Sequence, residues 1–97
     1  MNHEFHDDAR AEAIEDARWY GRRSASAAVG FIRELQAAVD AIGRDPERYQ
    51  PIGGGARVFR LKRYPYHVVY VVHDGTVFVV AVASTRREPG YWRHRLE

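Results

Sequence analysis

The stretch RVFRLKRYPYHVVYVVHDGTVFVVAVASTRREPGYW, Arg57 to Trp92, decides the fold. Its first run, Arg57–Arg63, alternates loosely between basic and apolar residues. Tyr64-Pro65 breaks that run, because proline fixes φ and has no N–H to give a ladder. His67–His73 and Thr76–Ala83 are dense in valine and aromatic residues, which suit a pleated, half-buried surface. Asp74-Gly75 lies between them, and a type I′ hairpin turn needs positive φ at both central positions, which Asp-Gly accepts. The stretch therefore predicts a three-stranded antiparallel meander ending in a basic, aromatic tail.

Alternation with period two puts Phe59 and Leu61 on one face of the first strand and Val58, Arg60 and Lys62 on the other. The next two runs are apolar on both faces. Helices can cover only one of them, so the other is expected to meet a partner chain.

Upstream, Met1–His6 fits a short edge strand ending at Phe5. Asp7 or Asp8 can cap a first helix, with Glu12 placed in its opening turns to suit the helix dipole. Ala13, Ile14, Ala17 and Tyr20 form its apolar stripe, Trp19 is expected where the two helices meet, and Gly21-Arg22-Arg23 ends it. Ser24 or Ser26 caps a second helix whose stripe is Ala28, Phe31, Ile32, Leu35, Val39 and Ile42. Gly43 reads as its C-terminal stop and Pro46 as confirmation. A short link makes the helices an antiparallel hairpin. Arg44–Ala56 reads as a loop. Its three glycines do not make a phosphate loop, since the lysine and Ser/Thr of a Walker A are missing and a strand follows.

The class is thus α+β, a single domain over residues 1–97 with one modest core. There is no cysteine, so neither disulfides nor thiolate-bound metal hold it together. His3 and His6 are poorly spaced for a metal, and no cofactor is expected. No stretch is long and apolar enough to span a membrane and no signal peptide opens the chain, which leads to a cytoplasmic expectation. The formal net charge of +2 hides an asymmetry. Residues 1–50 carry seven Lys/Arg against ten Asp/Glu, and residues 51–97 carry eight against three. A basic sheet half suits a polyanionic or acidic partner. Arginines that merely solubilise an exposed face explain it equally well.

Arg60, Lys62, His67, Arg86, Arg87 and Tyr91 come from adjacent strands or the segment just beyond, and are expected to converge at one end of the sheet. Guanidinium and ammonium groups suit phosphate oxygens and the added charge of a phosphorane-like transition state. An imidazole or phenol can move protons at a ribose 2′-oxygen or a leaving 5′-oxygen. Arg60, His67, Arg87 and Tyr91 are the candidate catalytic set for metal-independent RNA cleavage. Arg57, Lys62, Arg63 and Arg86 are the candidate nucleic-acid contacts. The structural alternative is a hydrogen-bonded His67 and a Tyr91-Trp92 pair that pins the tail to the core.

These residues also carry a resemblance that runs nearly end to end. Trp19-Tyr20, Pro46-Glu47-Arg48-Tyr49, Arg60-Leu61-Lys62-Arg63-Tyr64-Pro65-Tyr66, Tyr70 and Arg86-Arg87-Glu88-Pro89-Gly90-Tyr91-Trp92 together resemble the RelE/ParE superfamily of type II toxin–antitoxin toxins, in particular its ParE-like, plasmid stabilisation branch. The resemblance implies a helix hairpin on a twisted antiparallel sheet with a short N-terminal edge strand. It also implies a cognate antitoxin whose C-terminal segment wraps the toxin. RelE-like members cut ribosome-bound mRNA, whereas characterised ParE members inhibit DNA gyrase. By the same resemblance Arg60 stands where RelE-like toxins place a strand lysine, Arg87 matches a catalytic arginine, and Tyr91 lies near a functional C-terminal tyrosine. His67 stands where an arginine is usual, Ser84 where this branch often has histidine, and Val58 where RelE-like members have lysine. Three activities fit: an mRNA endonuclease, a non-catalytic gyrase inhibitor, and a degenerate toxin that serves as an antitoxin-binding module.

Overall fold

The computed structural model describes all 97 residues. Strand β1 (Asn2–Phe5) leads into helices α1 (Asp7–Gly21) and α2 (Ala25–Arg44), followed by β2 (Gln50–Gly53), β3 (Ala56–Arg60), β4 (Tyr66–His73) and β5 (Thr76–Ser84). A short 3₁₀ turn, Arg93–Leu96, closes the chain. The five strands form one sheet in the order β1-β5-β4-β3-β2. The expected meander is β3-β4-β5. Asp74 and Gly75 have φ of 49° and 73°, the two positive values of a type I′ turn.

Two sheet assignments change. Gln50–Gly53, inside the expected loop, is a fifth strand antiparallel to β3. Its apolar content is too low to show as a run, and the pairing comes from the tight Gly53–Gly55 turn, where all three φ are positive. The edge strand β1 runs parallel to β5, so the sheet is mixed. The helix hairpin carries the chain from β1 at one edge of the sheet to β2 at the other, and the antiparallel meander back brings β5 alongside β1 in the same direction.

The helices also differ in detail. His6, not Asp7 or Asp8, caps α1, its Nδ1 accepting from the Asp8 N–H at 3.1 Å. The two aspartates sit in the first turn, where their charge favours the dipole. Ser24 caps α2 through Oγ, accepting from the Ala27 N–H at 3.3 Å. Gly43 does not stop α2, which continues to Arg44. A Cβ at Gly43 would come within 3.4 Å of the Met1 carbonyl, so close approach of the N terminus accounts for a glycine there.

The buried stripe of α1 is centred on Ala9, with Ala13, Ala17 and Tyr20 packed on the same core. Ile14, one position off that line, is 46% exposed. Trp19 also points outward. Arg23 lies over its ring at 3.5 Å and Tyr20 meets it edge-on, so it is not the expected wedge between helices. On α2 the buried line is Phe31, Leu35, Ala38, Val39 and Ile42, leaving Ile32 exposed.

Two apolar layers result. The helix-side core joins these residues to Leu61, Tyr66, Val68, Tyr70, Val77, Val79 and Val82, with Phe59 packed against it. The opposite face buries Ala56, Val58, Val69, Val80, Ala81, Ala83 and Trp92, with Tyr91 and Leu96 against them. This second layer corrects the expectation that a partner must cover that face. The C-terminal tail crosses it as a strap. An irregularity between Val69 and Tyr70, opposite Val79–Ala81, lets Val80 join the strap side beside Ala81.

Candidate functional site

The concave end of the strap side is built by three local events. The β3–β4 ladder sets Arg60 opposite His67, and the β4–β5 ladder sets His67 opposite Ala83. Beyond Ser84 the chain leaves the sheet in tight turns and returns as the strap. The resulting concavity is lined by Arg60, His67, Ser84, Arg87, Tyr91 and Arg93, among others. The four candidate catalytic residues therefore do share one surface.

Their states differ. Arg60 is exposed and donates to Gln50 Oε1 at 2.8 Å. His67 is half-buried, and its pKa lies below the ordinary 6.5, chiefly through burial and then through the positive Arg60. At neutral pH the ring is an uncharged imidazole. The Arg87 guanidinium lies 3.6 Å above the centre of the Tyr91 ring and reaches Glu12 Oε2 at 3.4 Å. The Tyr91 hydroxyl donates to the same Oε2 at 2.6 Å. Burial first, and then the bond to the Glu12 carboxylate, push the Tyr91 phenol above its ordinary value of 10.

The four candidate nucleic-acid contacts are dispersed. Arg57 donates to the Glu47 and Tyr49 carbonyls at 3.0 and 2.8 Å, fastening the approach to β2. Lys62 and Arg63 lie in the β3–β4 connection, where their N–H groups donate to Glu34 Oε2 of α2 at 2.7 and 3.1 Å. Their side chains are exposed, as is that of Arg86, which follows β5. None of the four lines the concavity.

Two residues escaped the sequence reading. Glu12, read only for its effect on the helix dipole, receives Tyr91, Arg87 and Arg95. Arg95 meets it with two parallel bonds, Nη1 to Oε1 and Nη2 to Oε2, each 3.0 Å. The side chains of Glu12 and Arg95 are only 13% and 7% exposed. Burial opposes the charge on Arg95, but the bonds and charge of Glu12 outweigh it and raise its pKa. The pair is separated by 83 positions, and no local pattern links them.

Asp16, one turn after Glu12 on α1, is half-buried. Burial pushes its carboxyl up to about 6, against a hydrogen bond from Tyr66, and the nearby Glu12 adds to the rise.

Residues 4–89 match the family described as ParE toxin of type II toxin-antitoxin system, parDE. Among solved structures, a chain of the chromosomal ParDE TA system from P. aeruginosa superposes with a TM-score of 0.75 at 14% identity, covering 87% of this chain and 95% of that one. At that identity the likeness speaks for the fold. No curated protein sequence matches the chain.

Proposed function

The chain belongs to the ParE toxin family of type II toxin–antitoxin systems, and from that premise we propose that it arrests growth by binding DNA gyrase and not by cutting RNA. Its partner is the antitoxin of such a system. The observation that carries the choice of target is the engagement of Tyr91. Cleavage of RNA needs one group to take a proton from the 2′-oxygen and a second to supply one to the leaving oxygen. The Tyr91 hydroxyl is committed to Glu12 at 2.6 Å with its pKa raised, so it serves poorly as the second group. His67 alone remains, with Arg60 and Arg87 as cations. Arginines on a rigid surface with no acid–base pair suit recognition of a protein surface better than chemistry.

No helix is long and apolar enough to cross a membrane, and a gyrase-directed toxin acts in the cytoplasm. The antitoxin, on this reading, covers the strip around Val71 and Phe78, register partners that the strap leaves half-buried. A coupled-folding segment of the partner would bury that strip and approach the basic strap.

The test is purified toxin added separately to a gyrase supercoiling assay and to translating ribosomes with intact mRNA. The expected result is loss of supercoiling with full-length RNA, and weaker inhibition by Arg87→Ala. RNA cut by the parent protein, with cutting abolished in His67→Ala, would overturn the reading in favour of a nuclease.

A further inference from the structure

Strand β1 pairs with β5 only as far as Val79, where the His6 N–H donates to the Val79 carbonyl at 2.9 Å. Past that point β5 has no neighbouring strand on this side, yet Val80 and Val82 are 4% and 1% exposed. Buried backbone polar groups must find partners. The Val80 carbonyl accepts from Arg95 Nη1 at 3.1 Å, and the Val82 N–H donates to Glu12 Oε1 at 3.0 Å. In a parallel ladder one residue of the neighbouring strand gives its N–H to residue i and takes the N–H of residue i+2. The two side chains reproduce that donor and acceptor, and they are bonded to each other by the paired contacts at 3.0 Å.

We propose that Glu12 and Arg95 stand in for the missing strand residue on the open edge of β5, and that Glu12 is thereby the positioning residue that fixes the toxic surface carried by the strap. Glu12 Oε2 holds Arg87 directly and also through Tyr91, whose ring carries the Arg87 guanidinium. The far part of the strap has its own anchors. Arg93 Nη2 donates to the Ile52 carbonyl at 2.7 Å, and Trp92 is buried. Loss of Glu12 therefore releases Arg87 and Tyr91 while the strap stays attached. Arginine is required at position 95 because one guanidinium must serve two carboxylate oxygens and a carbonyl together, which a lysine ammonium on a flexible stem does not do. Arg95 lies beyond the residues that match the family.

The inference rests on the proposed toxic activity, whichever target carries it, and makes a demand that an ordinary ion pair does not. Exchanging the two charges preserves an ion pair. It does not preserve a strand stand-in, because an arginine at position 12 offers no acceptor to the Val82 N–H.

The experiment compares the full-length protein with Glu12→Gln, Arg95→Lys and the double reversal Glu12→Arg/Arg95→Glu. Amide exchange at Val82, growth arrest on induction and gyrase inhibition are all measured. In the parent protein the Val82 amide is expected to be as protected as the paired amides of β4. Arg95→Lys and Glu12→Gln should stay folded and lose toxic potency by about tenfold or more, the equivalent of one charge-assisted hydrogen bond. The double reversal should fail to restore potency. Rapid exchange at Val82 in the parent overturns the proposal even if every variant fails to fold. So does full potency in a folded Glu12→Gln, or rescue by the double reversal. If the parent arrests growth without touching supercoiling, the gyrase reading fails, and the role of Glu12 is decided by growth arrest and exchange.

Discussion

Replacing Gly30 by alanine should destabilise this protein, although the usual arithmetic for a helix interior points the other way. Gly30 lies inside α2, where alanine ordinarily gains about 0.8–1 kcal/mol over glycine. A Cβ placed there would meet the Tyr64 hydroxyl at 2.5 Å and its Cζ at 3.6 Å. That hydroxyl is not free to move, because it donates to the Ala27 carbonyl at 2.9 Å. The ring is held edge-on by Tyr20 at 5.0 Å and by Phe31 at 5.5 Å. Accommodating the methyl means losing the hydrogen bond, about 0.5–1.5 kcal/mol, and shifting a packed ring, about 1–3 kcal/mol. These costs exceed the propensity gain by about 0.5–3.5 kcal/mol. In a domain of this size each kcal/mol moves Tm by about 4–8 °C, so the expected fall is from about 2 °C to about 28 °C. Thermal unfolding followed by circular dichroism measures it. The decisive comparison is Gly30→Ala in a Tyr64→Phe background. With the oxygen gone, the remaining ring carbon at 3.6 Å is in ordinary contact, and alanine should become neutral or stabilising. A Gly30→Ala protein that melts above the parent would show that Tyr64 does not hold this position.

Leu35→Ala should cost about 2–5 kcal/mol through lost burial and a residual cavity, because Leu35 is 7% exposed in the helix-side core; an unchanged denaturation midpoint would place the buried face of α2 elsewhere. Tyr91→Phe should lower stability by about 1.5–3 kcal/mol, the loss of the phenol's hydrogen bond to the charged Glu12, and urea melts of variant and parent would measure it. Asp16 supplies a pH dependence. Its folded pKa of about 6 lies above 3.8, so the folded state holds more protons over that interval and stability falls as pH rises through it. Asp16→Asn should flatten that decline, and urea melts at about pH 4 and about pH 7 would show the gap between variant and parent widening toward neutral pH. Val71→Glu should weaken antitoxin binding, as titration calorimetry of the folded variant with the antitoxin would record.

The α+β class, the β3-β4-β5 meander, the type I′ turn at Asp74-Gly75, a serine cap of α2 (Ser24 or Ser26) and the Phe31–Leu35–Val39–Ile42 face of α2 were all legible in the chain. Each depends on residues a few positions apart, whose periodicity and turn chemistry act locally. The family resemblance was legible too, from short motifs spread over most of the length, and so was the grouping of Arg60, His67, Arg87 and Tyr91, because adjacent strands set their register. Tertiary structure alone decided the rest. β2 has too few apolar residues to announce itself and becomes a strand only because the glycine turn delivers it to β3. β1 runs parallel to β5 because the hairpin carries the chain around before it returns. The tail covers the second face only after the sheet exists to receive Trp92. Glu12 resembles any acidic residue near the start of a helix until folding brings Arg95, Tyr91 and the open edge of β5 against it, and a carboxylate's role is set by the donors around it, which no spacing along α1 encodes.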